Sequence, residues 1–314
     1  MALPPFTPET ILTQVGWDPS LGLFLVLAAG LYLYGVHRLR ARGHHWPVWR
    51  TAMFLGLGLG TIAVATMSGL AAYDDVLLSA HMVQHMLLQM VAPIFLALGA
   101  PVTLALRTLP AGARRRLLAV LHSRAARVLT FPLVAYAFFV VTPFALYFTD
   151  LYRLSLEHDW LHEVLHVHFV LTGCLFFWPM VGLDPLPGRW PYPGRALLML
   201  LSTPFHAVLG LTIMQSTTLL GGDWYPNLHL SWADPKADQV LAGGILWAGG
   251  EIVSVTMIAV LVVQWMRDSE KEARRIDRKL DRERAAAAAP ASRVAGDDGG
   301  AAEAVWETPW WKTG

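Results

Sequence analysis

Leu78-Ser79-Ala80-His81-Met82-Val83-Gln84-His85-Met86-Leu87-Leu88-Gln89-Met90-Val91-Ala92-Pro93-Ile94-Phe95-Leu96-Ala97-Leu98 contains no Asp, Glu, Lys or Arg. It is about as long as an α-helix must be to cross the hydrocarbon core of a bilayer, roughly 20 residues. Six further runs of the same kind lie around it: Leu21–His37, Val48–Thr66, Val128–Phe148, Leu161–Val181, Ala196–Leu220 and Gln239–Met266. Hydrophobic residues make up 55% of the chain and charged residues only 15%, against about a quarter charged in a soluble domain. A membrane barrel would instead show short segments of alternating polarity. The expectation is an all-α, polytopic membrane protein with seven transmembrane helices.

Basic residues orient it. Loops alternating to one side hold Arg38, Arg40, Arg42 and Arg50, then Arg107, Arg114, Arg115, Arg116, Arg124 and Arg127, then Arg189 and Arg195, and finally the run from Arg267 to Arg284. The other side has Arg153 and Lys236. The positive-inside rule puts the basic side in the cytoplasm, with the amino terminus outside and the carboxyl terminus inside. Residues 1–20 read as an extracytoplasmic segment, 21–266 as the transmembrane domain, and 267–314 as a charged cytoplasmic tail. Arg267–Arg284 can continue the seventh helix; Ala285–Gly314, rich in Ala, Gly and Asp, reads as disordered. Trp306, Trp310 and Trp311 sit in that tail. The first run serves as an uncleaved signal, since no positive start precedes it. The single cysteine, Cys174, reads as packing. No nucleic-acid motif and no phosphate loop is present; lipid is the expected surrounding of a cell-membrane protein.

Ionisable groups inside a membrane helix are expensive and mark functional sites. In the third run His81 and His85 are four apart and share a helix face; Gln89 continues it, and Met82, Met86 and Met90 form the neighbouring stripe. In the fifth run His162 and His166 share a face, His158 extends it upward, and His168 points elsewhere. The sixth run carries His206, with Met214 near the same face. The seventh holds Glu251 near mid-membrane, between Gly243-Gly244, Gly249-Gly250 and the helix's end. The third and fifth runs enter from the same side, so both His pairs fall in the outer half of the membrane, where Asp74, Asp75, His229 and Asp238 also lie. Imidazoles at one depth suggest a metal or haem site. Imidazole suits zinc, copper and iron, and thioether favours Cu(I), so the mixture of His81, His85, His162, His166 and His206 with Met82, Met86 and Met214 leans toward copper. Met also fills gaps between helices, and a single intramembrane His often only bonds a neighbouring helix.

His162-Glu163-x-x-His166 also matches the H-E-x-x-H signature of zinc proteases. Such an enzyme needs a third ligand. Asp184 lies about 18 residues beyond His166, roughly 27 Å along a helix, and cannot join. A haem-binding electron-transfer protein with one axial His from each pair is the other alternative.

Ser79 to Leu88, with Val91-Ala92-Pro93 and Leu98-Gly99-Ala100-Pro101, resembles the CtaG family of cytochrome c oxidase assembly proteins. The resemblance continues through His162-Glu163-Val164-Leu165-His166, Leu171-Thr172-Gly173 and Phe177-Trp178-Pro179, and returns at Asp238 to Gly244 and Gly249-Gly250-Glu251. It covers roughly residues 70–265. It implies a non-enzymatic membrane protein that assembles caa-type haem–copper oxidase, helping copper reach the oxidase, with oxidase subunits or other copper chaperones as partners. His81, His85, His162 and His166 become its candidate ligands. One departure is visible: a second acidic residue is expected just before the latter His of the fifth run, where this chain has Leu165.

Overall fold

The computed structural model describes residues 4–14, 16, 19–187 and 190–294. Arg189, the end of the tail and its Trp306, Trp310 and Trp311 lie outside the described residues. The chain divides into two compact units, Met1–Val262 and Val263–Gly314. Every regular element among the described residues is helical. The long segments are α1 (Leu21–Ala41), α2 (Val48–Tyr73), α3 (Leu78–Thr108), the bent pair α4 (Pro132–Tyr147) and α5 (Leu151–Glu157), α6 (Asp159–Val181), α7 (Tyr192–Gln215) and α8 (Pro235–Val294). Six of these can cross a membrane by length and composition, or seven if the bent pair is one span. Large apolar side chains such as Val26, Leu31, Leu171 and Ile252 are more than half exposed on their outer faces. Only hydrocarbon makes so many apolar faces stable, and helices satisfy their own backbone there. The protein is a multi-pass membrane protein.

The fourth apolar run is where the expected pattern changes. A helix of 16 residues, α4, rises about 24 Å, short of the roughly 30 Å of a hydrocarbon core. The chain then turns by 68° into α5. At the far end, α8 stays helical to Val294, past the start of the segment read as disordered. Its described side chains from Trp265 to Ala285 are exposed.

Prolines and glycines set how the helices meet. Pro93 has no N–H, so the Gln89 carbonyl four residues earlier loses its helical donor, and residues Leu87–Val91 widen into a π turn. There α6 packs so closely that a Cβ on Gly173 would lie 2.0 Å from the Gln89 carbonyl oxygen. In α4, Pro143 likewise leaves the Phe139 carbonyl free, and the Gln89 side-chain amide donates to it at 3.2 Å. α7 and α8 touch backbone to backbone: a Cβ on Gly210 would meet the Gly243 carbonyl at 2.6 Å, and the reverse contact is equally close.

Two polar anchors close the end of the bundle where α6 finishes. Asp184 accepts from the Val102 and Thr103 amides, the Thr103 hydroxyl and the Trp178 indole. It thereby caps the helical segment Pro101–Thr108, whose orphan N–H groups need acceptors. Arg195, 2% exposed, donates to the Met180 carbonyl in the last turn of α6. At the opposite end a second apolar cluster of Tyr73, Val76, Leu77 and Ala80 is covered by Phe6, Leu230 and Trp232. Tyr73 donates to the Pro4 carbonyl at 2.7 Å, which ties the amino-terminal segment over the α2–α3 connection.

Candidate metal site

The α2–α3 connection carries the residue around which the site forms. Ser68 breaks α2 with extended backbone and caps a last turn, Gly69–Tyr73, by accepting from the Leu70 amide. Asp74 follows, 6% exposed. Its carboxylate Oδ2 lies 3.5 Å from His162 Nε2 and 3.8 Å from His166 Nε2. One donor atom from each of the three falls within 4.8 Å of the other two. Donors held tetrahedrally at about 2.0–2.1 Å from a metal stand about 3.3 Å apart, so these residues can hold a metal ion with small adjustments. Burial pushes the Asp74 carboxyl up to about 7, against the lowering effect of a hydrogen bond from Gln84.

α6 supplies both imidazoles because four residues bring side chains back to one face; the His162 and His166 ring centroids are 4.6 Å apart. α3 presents His81 beside them, its ring centroid 5.5 Å from that of His162. His81 is 1% exposed, and neither ring nitrogen has a hydrogen-bond partner among the described residues. His162 Nε2 is likewise without a hydrogen bond. Tyr152 and Tyr147 enclose His81, with centroids at 5.1 and 6.2 Å. Leaving a buried polar group unpaired costs about 1–3 kcal/mol, so an imidazole with two such nitrogens is poorly explained by packing.

One turn deeper the environment is different. His85 Nε2 donates to Gln89 Oε1 at 2.5 Å, and its Nδ1 faces the Tyr147 hydroxyl at 3.2 Å. The ring stacks on Phe169 at 4.0 Å. The Gln89 amide is oriented by its bond to Phe139, so the proton on His85 Nε2 is assigned. His85 is therefore fully engaged within the bundle. Met82 Sδ lies 3.6 Å from the same Tyr147 hydroxyl, whose single proton goes either to it or to His85 Nδ1. Met86 packs toward Gly249, and Met214 toward Gly243. His206 donates from Nδ1 to the Ser202 carbonyl at 2.9 Å and fills the space that a Cβ on Gly250 would need. His168 bonds Thr142 at 3.1 Å. Of the eight residues expected to bind metal, the structure gathers His162 and His166 around Asp74 and sets His81 against the ring of His162. It places Met82 and His85 one layer below, and Met86, His206 and Met214 against α8.

Two participants escaped the sequence reading as ligands or supports, Asp74 and Gln84. Asp74 was visible only as an acid at the correct depth; its approach to α6 depends on the break at Ser68. Gln84 sits among the histidines and stands three residues from His81, the spacing of neighbours on a helix surface. The third donor that the H-E-x-x-H pattern lacked is present as Asp74, while Asp184 serves as a cap. Glu163, which a protease would need as its base, is exposed.

The chain is 39% identical over 285 residues to an uncharacterized protein of Mycobacterium bovis and, equally, to one of Mycobacterium tuberculosis; each alignment covers 88% of this chain and 43% of the relative. An uncharacterized protein of Mycobacterium leprae is 37% identical over 273 residues, covering 84% of this chain and 41% of the relative. The chain thus spans less than half the length of the curated relatives it matches. No solved structure matches it. The family model for the cytochrome c oxidase caa3 assembly factor matches residues 30–268, a range that takes in all eight long helical segments in whole or part and every residue of the Asp74 cluster. A multi-pass helical bundle with buried histidines facing an acid at one end thus belongs to the Caa3_CtaG family of cytochrome c oxidase assembly factors.

Proposed function

We propose that this protein aids assembly of a caa3-type cytochrome c oxidase by holding copper between Asp74, His81, His162 and His166 and passing it to an oxidase subunit or another copper chaperone. His81 carries the reading. It is buried, unpaired at both ring nitrogens, and packed against a second imidazole, the state of a ligand whose partner is a metal. The family supports an oxidase as client, and copper stands highest among the divalent ions in affinity for nitrogen and oxygen donors. As Cu(I), the cargo would rest on the three imidazoles. Asp74, a harder donor, would be the weak and exchangeable contact, which suits delivery.

The proposed topology has seven spans, with the bent pair α4–α5 as one of them, the amino terminus outside and the carboxyl terminus in the cytoplasm. The cluster then lies in the outer half of the membrane, at the entry ends of α3 and α6. The haem alternative is disfavoured by spacing. Imidazole centroids 4.6 and 5.5 Å apart, closed in by Tyr147 and Tyr152, leave no slot for a macrocycle between them. Proteolysis is disfavoured by the exposure of Glu163 and by a family of assembly factors rather than catalysts.

Copper titration of the purified full chain against a competing chelator tests the site. The wild type is expected to bind one ion, and His81→Ala or His166→Ala to weaken it at least tenfold. The two losses combined should fall short of their sum, since residues of one site are not additive. Unchanged affinity in His81→Ala overturns the proposal.

A further inference from the structure

We infer that Gln84 is a latch on this site: its amide ties His166 to Asp74 in the metal-free protein and must let go of His166 before copper is held. The inference rests on the copper reading above.

Gln84 is 1% exposed and joins three helical elements. Its Nε2 donates to the Ala65 carbonyl at 2.9 Å and to Asp74 Oδ2 at 2.7 Å. Ala65 lies in the last turn of the helical stretch Gly60–Met67, where carbonyls lack a helical donor, so the break at Ser68 prepares an acceptor for the amide. A carbonyl and a carboxylate both accept, which fixes the NH₂ end of Gln84 on their side. Its Oε1 must then be the atom 2.9 Å from His166 Nε2. An amide oxygen only accepts, so His166 carries its proton on Nε2 when no metal is bound.

That nitrogen is also the one that faces the site. His166 Nε2 is 3.8 Å from Asp74 Oδ2, as His162 Nε2 is 3.5 Å from it. An imidazole nitrogen binds a metal through its lone pair and cannot at the same time donate a proton to Gln84. The donors are therefore not equivalent. His81 and His162 stand with unbonded nitrogens, ready to receive an ion, whereas His166 is held back by a hydrogen bond that competes with the cargo. The competition weakens retention and makes release easier, because the latch re-forms as the ion leaves. A storage site would gain nothing from it.

Gln84→Leu keeps much of the side-chain volume and removes the amide. In Cu(I) titrations of the full chain it is expected to lower Kd about tenfold, equivalent to about 1.4 kcal/mol, and to slow transfer to an added chelator. Equal or weaker binding overturns the latch. A second measurement needs no variant: nitrogen-15 spectra of the wild-type histidine rings. The metal-free protein should show His166 as the Nε2–H tautomer, and Cu(I), which is diamagnetic, should abolish that state. An Nδ1–H tautomer without metal, or Nε2–H persisting with copper bound, overturns it equally. The two readings fail differently. If neither protein binds copper, the copper reading falls and the latch with it; if both bind it equally, the copper reading stands and only the latch falls.

Discussion

Glu163 and His166 sit three residues apart on one helix and have opposite surroundings. His166 turns into the bundle toward Asp74 and Gln84, and Glu163 is exposed. A hydrolytic role would need Glu163 to activate water beside a bound metal; a delivery role needs no such base. Cells carrying Glu163→Gln are accordingly expected to keep most of their oxidase activity, and His166→Ala cells to lose it at limiting copper and regain part of it when copper is added. Loss of activity in Glu163→Gln with metal content intact would contradict this. At this scale the sequence was informative about His162 and His166, because four-residue spacing fixes a shared face by helix geometry alone. It treated His81 and His85 as equivalents, and they are not. The difference comes from Pro143 in α4, which frees the carbonyl that orients Gln89 onto His85.

The contact between α3 and α6 decides whether the imidazoles of the two helices meet. It is tight at Gly173, two turns below His166, where α6 packs against the Gln89 carbonyl of the widened turn before Pro93. A side chain there has no room, since its first carbon would sit 2.0 Å from that oxygen. Backbone on both sides limits relaxation, and overpacking of this kind typically costs about 1–3 kcal/mol, occasionally more. Gly173→Val should therefore lower the thermal unfolding midpoint in detergent. It should also weaken copper binding, although residue 173 touches no ligand. Unchanged stability and affinity would show that the two helices are held elsewhere. The Pro93 and Gly173 signals are both present in the sequence. That they face one another is set by the packing of helices far apart in the chain.

For the molecule as a whole, the basic loops and the depth of the histidines make a joint statement about sidedness. A reporter active only outside the cytoplasm, fused after Arg284, is expected to be silent, because the loops on that side carry most of the arginines. Strong activity would reverse the orientation or change the number of spans by one. The number turns on α4 and α5, whose 68° bend joins a helix of 16 residues within the expected run Val128–Phe148 to a helix of seven beyond it. Hydropathy registers the apolar run through Phe148 but not the bend, since the turn at Thr149 and Asp150 is polar and short.

By itself the sequence determined the helical class, the positions of the apolar segments, the family resemblance and the histidines that one helix turn brings together. These follow from local periodicity and from the price of polar groups in hydrocarbon, which act residue by residue along a helix. The tertiary structure alone decided that Asp74 joins His162 and His166, that His81 is left unpaired beside them, and that Gln84 spans α2, α3 and α6. Those relations depend on where α2 breaks and on how closely α6 approaches α3. Both are set by packing between segments up to about 90 residues apart, a separation over which helical periodicity carries no information.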